Sequence, residues 1–189
     1  MPTPLPSTPF AQAPSAFCLA PFNSVANQVV ARLTGAGFPE HDISLLAPDT
    51  RDAAEGAPEL RQGPAEGTTV GLVEGGVVGD ILGLRQCVGL LLIPGLGGFI
   101  AAGPVMTALI GSNAEVAPGP IAGVLMGMGV PEAAALRCQQ KVRNGNILLS
   151  ARAEDPAGVA RAQEIFLSAG AVIIRPDSAE PAPPRRGRV

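Results

Sequence analysis

The chain has 189 residues, of which 47% are hydrophobic, and its net charge is −3 at neutral pH. This hydrophobic content excludes a fully disordered protein, and the charge gives no basis for a nucleic-acid partner. Aromatic residues supply 3% of the chain, with no Trp and no Tyr, which disfavours a deep aromatic ligand pocket. The three cysteines are isolated and there is a single histidine, so neither a disulfide framework nor a metal site is expected. We therefore predict an intracellular protein without a metal or a cofactor.

Both ends of the chain are predicted to be disordered. Residues 1–15 form a Pro-rich arm without apolar periodicity, and residues 176–189 form a tail of similar composition. The arm has neither the basic start nor the apolar helix of a secretory signal. These features favour a cytoplasmic location.

Residues 16–47 predict a first β-α-β unit. An apolar run at 16–20 is typical of a strand, and Asn23-Ser24 carry side chains that cap helix N-termini. Apolar residues then recur at helical spacing until Gly35-Ala36-Gly37 ends the helix; they are Val25, Val29, Val30 and Leu33. A second strand is expected at 42–47, and residues 48–66, which are rich in acids, Pro and Gly, are expected to form a linker.

Residues 67–129 contain two runs of glycine spaced four residues apart, with two gaps in the second run, a pattern that we call the glycine zipper. Four residues advance a helix by slightly more than one turn, so each run predicts a groove that permits close helix packing. Glycine inside a helix costs about 1 kcal/mol relative to alanine, which close packing would have to offset. We predict that ten glycines mediate packing or association: Gly67, Gly71, Gly75, Gly79, Gly83, Gly103, Gly111, Gly119, Gly123 and Gly127.

The two runs are expected to form a helical hairpin, with helices at about 70–92 and 104–128. Its tip is predicted where turn-forming residues cluster, at Pro94, Gly95, Gly97 and Gly98. Residues 86–114 carry no charge and are numerous enough to cross a bilayer, but Pro94 and the glycines interrupt them.

Residues 130–175 predict a helix followed by a second β-α-β unit. The helix begins at Val130-Pro131-Glu132, and its apolar side is expected at Ala135, Leu136, Gln139 and Val142. The unit that follows repeats the plan of residues 16–47. Two such units predict an α+β fold, a ferredoxin-like βαβ–βαβ sandwich with one antiparallel sheet covered by helices on one face, split by the glycine-zipper helical hairpin.

Four motifs in these elements resemble the bacterial general stress protein domain family, of the heat-induced stress protein type, a domain of unknown function. The similarity extends over roughly residues 16–175 and lies mainly in Pro and Gly positions. The motifs are Ala36-Gly37-Phe38-Pro39 with Asp42-Ile43-Ser44-Leu45-Leu46, Ile93-Pro94-Gly95-Leu96-Gly97 with Ala101-Ala102-Gly103-Pro104, Met128-Gly129-Val130-Pro131-Glu132, and Val142-Arg143-Asn144-Gly145-Asn146-Ile147-Leu148-Leu149-Ser150.

The chain departs from the family pattern in two places. Pro21-Phe22-Asn23-Ser24 stands where the family usually has an acidic or similar polar residue with aromatic company, and Arg137-Cys138-Gln139 stands where it often has a Tyr-Glu pair. The resemblance implies a role in stress adaptation and supplies no catalytic residue.

We therefore expect a non-enzymatic stress-response protein. The glycine zipper is expected to mediate membrane association, self-assembly or both, with the ferredoxin-like domain serving interaction or regulation. The expected partners are another copy of the chain and membrane lipid, with no nucleic acid, and the expected location is the cytoplasm, either at the inner membrane or in solution.

The alternative from a different class is a soluble, small-ligand-binding regulatory module of ferredoxin-like fold. Its ligand would meet helix N-termini at Asn23-Ser24 and Glu154-Asp155-Pro156, residues that are more often plain N-caps. Two reactive side chains also receive structural interpretations, because Cys138 is expected to be buried and His41 to be a solvated turn residue.

Overall fold

The computed structural model describes residues 14–49, 69–72, 88–93, 96–111 and 118–174. These ranges contain seven strands, β1 (Ser15–Ala20), β2 (Ile43–Pro48), β3 (Thr69–Leu72), β4 (Val88–Ile93), β5 (Gly97–Ala102), β6 (Ile147–Arg152) and β7 (Val172–Ile174). They also contain five α-helices, α1 (Asn23–Gly35), α2 (Gly103–Gly111), α3 (Pro120–Gly127), α4 (Glu132–Arg143) and α5 (Pro156–Ser168), and one 3-10 turn at Glu40–Asp42. The tail and most of the arm and of the linker lie outside the described residues, and Ser15, the last residue of the predicted arm, is the first residue of β1.

The seven strands form a single sheet in the order β3-β4-β5-β2-β6-β1-β7, and neighbouring strands are antiparallel. Strand β6 lies between β1 and β2, and β1 lies between β6 and β7. The two β-α-β units at the ends of the chain are therefore interleaved, because each unit places its two strands on either side of a strand of the other. The fold is mixed α and β, as predicted.

Strand alternation sends successive side chains to opposite faces of the sheet, and each face has its own core. On one face, α1 and α5 cover Cys18, Leu45 and Leu149. On the other face, α2, α3 and α4 cover side chains of β1, β2 and β6 together with Leu91 and Phe99 from β4 and β5. The prediction that helices cover one face of the sheet is therefore wrong, since both faces carry helices.

The helical hairpin predicted for residues 67–129 is also wrong in its first half. In the described part of that half, residues 69–72, 88–93 and 97–102 are strands, and β4 and β5 form a β-hairpin that joins the sheet beside β2. A continuous apolar run such as Leu90-Leu91-Leu92-Ile93 suits a sheet strand, and its pairing with two neighbours outweighs the helical spacing of the glycines. In the second half, α2 and α3 replace the single predicted helix.

The predicted hairpin tip coincides with the turn between β4 and β5. The Leu96 N–H donates to the Ile93 carbonyl across this turn, at 3.0 Å. Gly97 and Gly98 are the first residues of β5, whereas Pro94 and Gly95 lie outside the described residues. The turn therefore joins strands and not helices.

Side chains accept hydrogen bonds from N–H groups in the first turns of three helices. The Val105 N–H of α2 donates to Ser44 Oγ at 3.2 Å, and the Gly158 N–H of α5 donates to Asp155 Oδ1 at 2.6 Å. Helix α3 receives its acceptor from α4, as described below. The prediction that Asn23-Ser24 caps α1 is wrong, because both residues lie inside the helix and Phe22, at the N-cap position, makes no side-chain cap bond.

Gly103 joins β5 directly to α2 in a conformation that favours glycine. Its φ is +75°, and a Cβ at this position would meet the Ile43 carbonyl oxygen and lie 3.0 Å from both Cα and Oγ of Ser44. The absence of a side chain therefore lets α2 begin immediately above β2. Helix α2 shares the core on this face of the sheet with α3 and α4.

Candidate association surface

Helix α3 contains no polar side chain, although part of it lies at the protein surface. Its sequence is Pro-Ile-Ala-Gly-Val-Leu-Met-Gly. One side is buried in the core by Ile121, Ala122, Val124 and Leu125. The other side is exposed and consists of Gly123, Met126 and Gly127, with Met126 38% exposed. A helix that is apolar on every side is normally buried on every side, which makes this exposed face unusual.

The two exposed glycines leave open space beside the helix backbone. Among the described residues, and apart from the backbone of the helix itself, nothing lies within 4 Å of a Cβ built at Gly123 or at Gly127. Neither residue has a positive φ, so neither position requires glycine for its backbone conformation. Alanine would favour the helix by about 1 kcal/mol at each position. In the described part of the chain, neither glycine makes a contact that would offset this cost in helix stability.

Helix α4 extends the exposed face of α3. The two helices pack against each other, and their buried sides belong to the same core, so their exposed sides both point away from the sheet. On α4 this outward side includes Leu136, which is 39% exposed, although the sequence predicts it on the buried side. We define the association surface as the exposed residues of α3 and α4: Gly123, Met126, Gly127, Glu132, Ala133, Leu136, Arg137, Gln140, Lys141 and Arg143.

The charges of α4 are distributed asymmetrically along this surface. Glu132 lies in the first turn, and Lys141 and Arg143 lie in the last turn. This arrangement matches the helix dipole, which favours acids at the N-terminus and bases at the C-terminus. Arg137, which lies between these two ends, is also exposed, so α4 presents one acid and three bases on this surface.

The start of α3 is held by Gln139 of α4. The Ala122 N–H donates to Gln139 Oε1 at 3.1 Å. Gly119, which precedes the helix with φ +133°, leaves room for this side chain, since a Cβ there would lie 2.6 Å from Gln139 Oε1 and Nε2. The bond links the two helices and fixes the orientation of the exposed side of α3. At the other end of α3, the Val130 N–H donates to the Leu125 carbonyl at 2.9 Å.

The structure separates the predicted glycines into five groups. Gly103 and Gly119 make close contacts within the chain, Gly123 and Gly127 lie on the association surface, and Gly111 ends α2. Gly71 lies in β3, so the prediction that it belongs to a helix is wrong. Four members of the first run fall outside the described residues, namely Gly67, Gly75, Gly79 and Gly83.

The thiols of Cys18 and Cys138 are buried, in the cores on opposite faces of the sheet. Burial raises the pKa of Cys138 to about 12, an effect that the nearby Lys141 ammonium partly opposes. Burial, with a smaller contribution from Cys138, raises the pKa of Cys18 further still. Because the thiolate is the reactive form, neither group is suited to redox or nucleophilic chemistry at neutral pH.

The remaining candidate residues have structural positions. The His41 side chain is 80% exposed and lies 3.7 Å from Asp42, which confirms it as a solvated turn residue. Asp155 is an N-cap, as the hydrogen bond to Gly158 shows. Asn27, in the early part of α1, has an Oδ1 atom that is buried without a hydrogen-bond partner.

Sequence reasoning missed Met126 and Leu136 as parts of an exposed face. The signal that would have found Met126 is the absence of any polar residue in 120–127, which leaves a surface helix nothing but apolar residues to expose. Leu136 is harder to place, because alanines at 134 and 135 and Cys138 supply the buried side of α4. The capping role of Gln139 depends on how α3 and α4 pack and has no local signal.

These features define a mixed α/β protein with one antiparallel sheet between two helical layers and an apolar surface on one of them. Comparison of the chain with protein-family models, curated proteins and solved structures finds no match. Within the described ranges, no group of three or more His, Cys, Asp or Glu residues is placed to hold a metal ion. None of the helices in the same ranges is both long enough and apolar enough to cross a bilayer.

Proposed function

We propose that the protein is a non-enzymatic, stress-associated protein that acts by self-association through a ferredoxin-like domain. The observation that carries the proposal is α3, a helix without polar residues. Its exposed side contains Gly123 and Gly127, and no described residue fills the space beside them. Folded chains rarely leave such a face in contact with water, and an interface with another molecule is the usual reason for it. The resemblance to general stress proteins supports the stress association.

The ferredoxin-like part of the proposal is supported by the order of four strands. Numbered within the two β-α-β units alone, β7-β1-β6-β2 becomes the order 4-1-3-2, with antiparallel neighbours. Their two connecting helices, α1 and α5, both lie on one face. A ferredoxin-like sandwich is expected to have this strand order with its helices on one face, which supports this part of the proposal. Strands β3 to β5 and helices α2 to α4 are then additions that widen the sheet and cover its second face.

Self-association is tested by measuring the mass of the full chain in solution. We expect sedimentation velocity to show a species larger than the 19.0 kDa monomer whose fraction rises with protein concentration. A protein that remains monomeric from micromolar to hundreds of micromolar concentration would contradict the proposal. Stress association is tested separately, by measuring the abundance of the protein before and after heat shock in its own cells.

Membrane association at the inner membrane is a second candidate. It is supported by the apolar exposed side of α3 and by residues 86–114, which carry no charge. The test is flotation of the purified chain with lipid vesicles of neutral and of anionic composition. Association predicts recovery in the floating fraction, whereas recovery at the bottom of the gradient with both vesicle types would exclude this candidate.

A small-ligand-binding regulatory module is the third candidate, and one observation favours it. The start of α1 has no side-chain cap, and the nearby Asn27 has a buried Oδ1 without a partner. Binding at this end predicts a rise in unfolding temperature with an amino acid, a nucleotide or an inorganic anion. A full screen without a specific shift would count against the candidate, while self-association predicts no such shift.

A further inference from the structure

We infer that Asn144 is a site of spontaneous modification, where the side-chain amide is exchanged for a carboxylate and both aspartate and isoaspartate are formed. Asn144 follows the last residue of α4 and is exposed. Of the five asparagines in the sequence, Asn144 is the one that a glycine follows. The inference concerns the covalent chemistry of the chain, and it does not depend on self-association.

The reaction takes place between the side chain of Asn144 and the backbone of Gly145. Asparagine is among the thermolabile residues. The Gly145 nitrogen attacks the Asn144 side-chain carbonyl carbon, a C–N bond forms, and ammonia leaves with the proton that the nitrogen gives up. Water then opens the resulting imide ring at either of its carbonyl carbons, which gives aspartate or isoaspartate. The overall change consumes water and releases ammonia, with no oxidation or reduction.

Gly145 leaves the attacking nitrogen accessible. Apart from its two chain neighbours, no described residue lies within 4 Å of a Cβ built at this position. A side chain on the residue after the asparagine crowds the nitrogen, and a β-branched one such as Ile147, which follows Asn146, crowds it most. The Asn146 side-chain amide also donates to the Lys141 carbonyl at 2.9 Å, which holds it in place. Asn146 is therefore expected to be stable although it lies two residues away.

The backbone of the turn decides when the ring can close. The Gly145 N–H donates to the Val142 carbonyl at 3.1 Å, and Asn144 has a ψ of 10°, which turns the Gly145 nitrogen away from the Asn144 side chain. The turn must therefore open before the nitrogen can attack. Local opening at the end of a helix costs less free energy than global unfolding. We therefore expect the folded chain to react, more slowly than the unfolded chain.

The products change both the charge and the backbone directly before β6. Each product adds a carboxylate beside Arg143 at the C-terminus of α4, where the helix dipole disfavours an acid. Isoaspartate also lengthens the main chain by one carbon atom. This displaces the Asn146 N–H from the Lys141 carbonyl, a bond of 3.0 Å that leads into β6, the strand between β1 and β2. The connection between α4 and the sheet should therefore loosen as the protein ages.

The first test follows every asparagine of the full chain by peptide mass spectrometry during incubation in a mildly alkaline buffer. We expect amide loss at Asn144 to be at least about tenfold faster than at the other four, because no side chain crowds the attacking nitrogen. The other four are Asn23, Asn27, Asn113 and Asn146. Isoaspartate at position 144 verifies the ring, since direct hydrolysis gives aspartate alone. Equal rates at all five positions, or aspartate without isoaspartate, would overturn the inference.

The second test uses variants and ion-exchange chromatography of the intact chain. Asn144→Gln keeps an amide but would have to close a larger ring, so the acidic form that accumulates in the aged chain should be absent. Asn23→Gln, the matched control at another exposed asparagine, should accumulate this form at the rate of the unmodified chain. Asn144→Asp reproduces one product without ageing and should lower the unfolding temperature by about 1–4 °C. An acidic form that persists in Asn144→Gln would place the reaction elsewhere.

The same incubation in urea separates the chemistry from the effect of the fold. The unfolded chain should lose the Asn144 amide faster than the folded chain, because the turn no longer holds the Gly145 N–H. If the unfolded chain reacts and the folded chain keeps its amide throughout, the turn does not open and the inference is wrong for the native protein. If neither reacts at Asn144, the proposed chemistry is wrong. Self-association stands or falls separately, by sedimentation.

Discussion

Replacement of Gly103 by alanine tests whether the junction of β5 and α2 depends on the absence of a side chain. The residue has φ +75°, and its position above β2 leaves a Cβ in contact with the Ile43 carbonyl oxygen and 3.0 Å from Ser44 Cα. Backbone atoms form the floor of this contact, so the added methyl group cannot be accommodated by rotation of a neighbouring side chain. We expect a large loss of stability from a single methyl group.

The loss has two parts that can be estimated separately. A left-handed backbone conformation costs a residue with a Cβ about 1–2 kcal/mol. The methyl group also lies 3.0 Å from Ser44 Oγ, the acceptor for the Val105 N–H. Displacing this buried oxygen leaves a donor without a partner, which costs about 1–3 kcal/mol. The sum is about 2–5 kcal/mol, a large share of the roughly 5–15 kcal/mol that stabilises a typical domain.

Two further alanine variants serve as controls for the two parts. Gly170 has φ +80° but nothing within 4 Å of a built Cβ, so Gly170→Ala should lose about 1–2 kcal/mol from backbone strain alone. Gly123 has neither a positive φ nor a close neighbour, so Gly123→Ala should gain up to about 1 kcal/mol from helix propensity. Urea denaturation of the three variants at one low protein concentration gives the free energy of unfolding for each.

The order of the three values decides the question. We expect the free energy of unfolding to fall most for Gly103→Ala, to fall less for Gly170→Ala and to rise for Gly123→Ala. If Gly103→Ala loses no more than Gly170→Ala, then α2 can move away from β2 without cost, and the steric part of this reasoning is refuted.

Three more predictions concern side chains in the interior and at helix ends. Burial raises the pKa of Cys18 and Cys138, so the unfolded chain loses these thiol protons at lower pH than the folded chain, and the free energy of unfolding should fall by about 1.4 kcal/mol per pH unit for each thiol above about pH 8.5. The chain has no Tyr and one Lys, so few other groups titrate in this range. A variant with alanine at Cys18 and Cys138 should show a much smaller slope in urea denaturation measured from pH 7.5 to 10. Gln139→Ala should lower the free energy of unfolding by about 1 kcal/mol, because the Ala122 N–H loses its acceptor. Gly119→Ala should lower it less in the Gln139→Ala background than in the unmodified chain, because the new Cβ no longer clashes with the Gln139 side chain. Strictly additive losses would contradict the packing described. Asp155→Ala should lower the free energy of unfolding by about 1 kcal/mol, because the Gly158 N–H at the start of α5 loses its acceptor. Asp155→Asn should lower it less, since an amide oxygen also accepts this hydrogen bond. Equal losses would mean that the carboxylate charge, and not the hydrogen bond, stabilises the helix.

The two β-α-β units at the ends of the chain are predictable from the sequence because their signals are local. Apolar runs at 16–20, 42–47, 147–152 and 171–174 each form a strand, and glycines mark the ends of the helices between them. These segments have one interpretation each, since apolar runs, helical spacing and terminating glycines agree, although the cap predicted at Asn23-Ser24 does not form. The second β-α-β unit lies where its pattern predicts.

The centre of the chain is less predictable because its signals conflict. Glycine spacing favours helices over 67–92, whereas Leu90-Leu91-Leu92-Ile93 favours a strand, and pairing with β5 decides between them. The pairing partners are set by tertiary structure, which local patterns do not contain. The association surface was predictable in part, since Gly123 and Gly127 were identified, but Met126 and Leu136 depend on which side of α3 and α4 meets the sheet.

The position of β1 has a consequence for synthesis of the chain. β1 is made first, yet its two neighbours, β6 and β7, are made last, and Ser15 pairs with Arg152. A ribosome-bound chain therefore holds an apolar strand without its partners until residues 147–174 have emerged, and contacts this distant in sequence form slowly. We expect a product that ends before residue 147 to leave β1 unpaired, and therefore to aggregate more readily than the 189-residue chain.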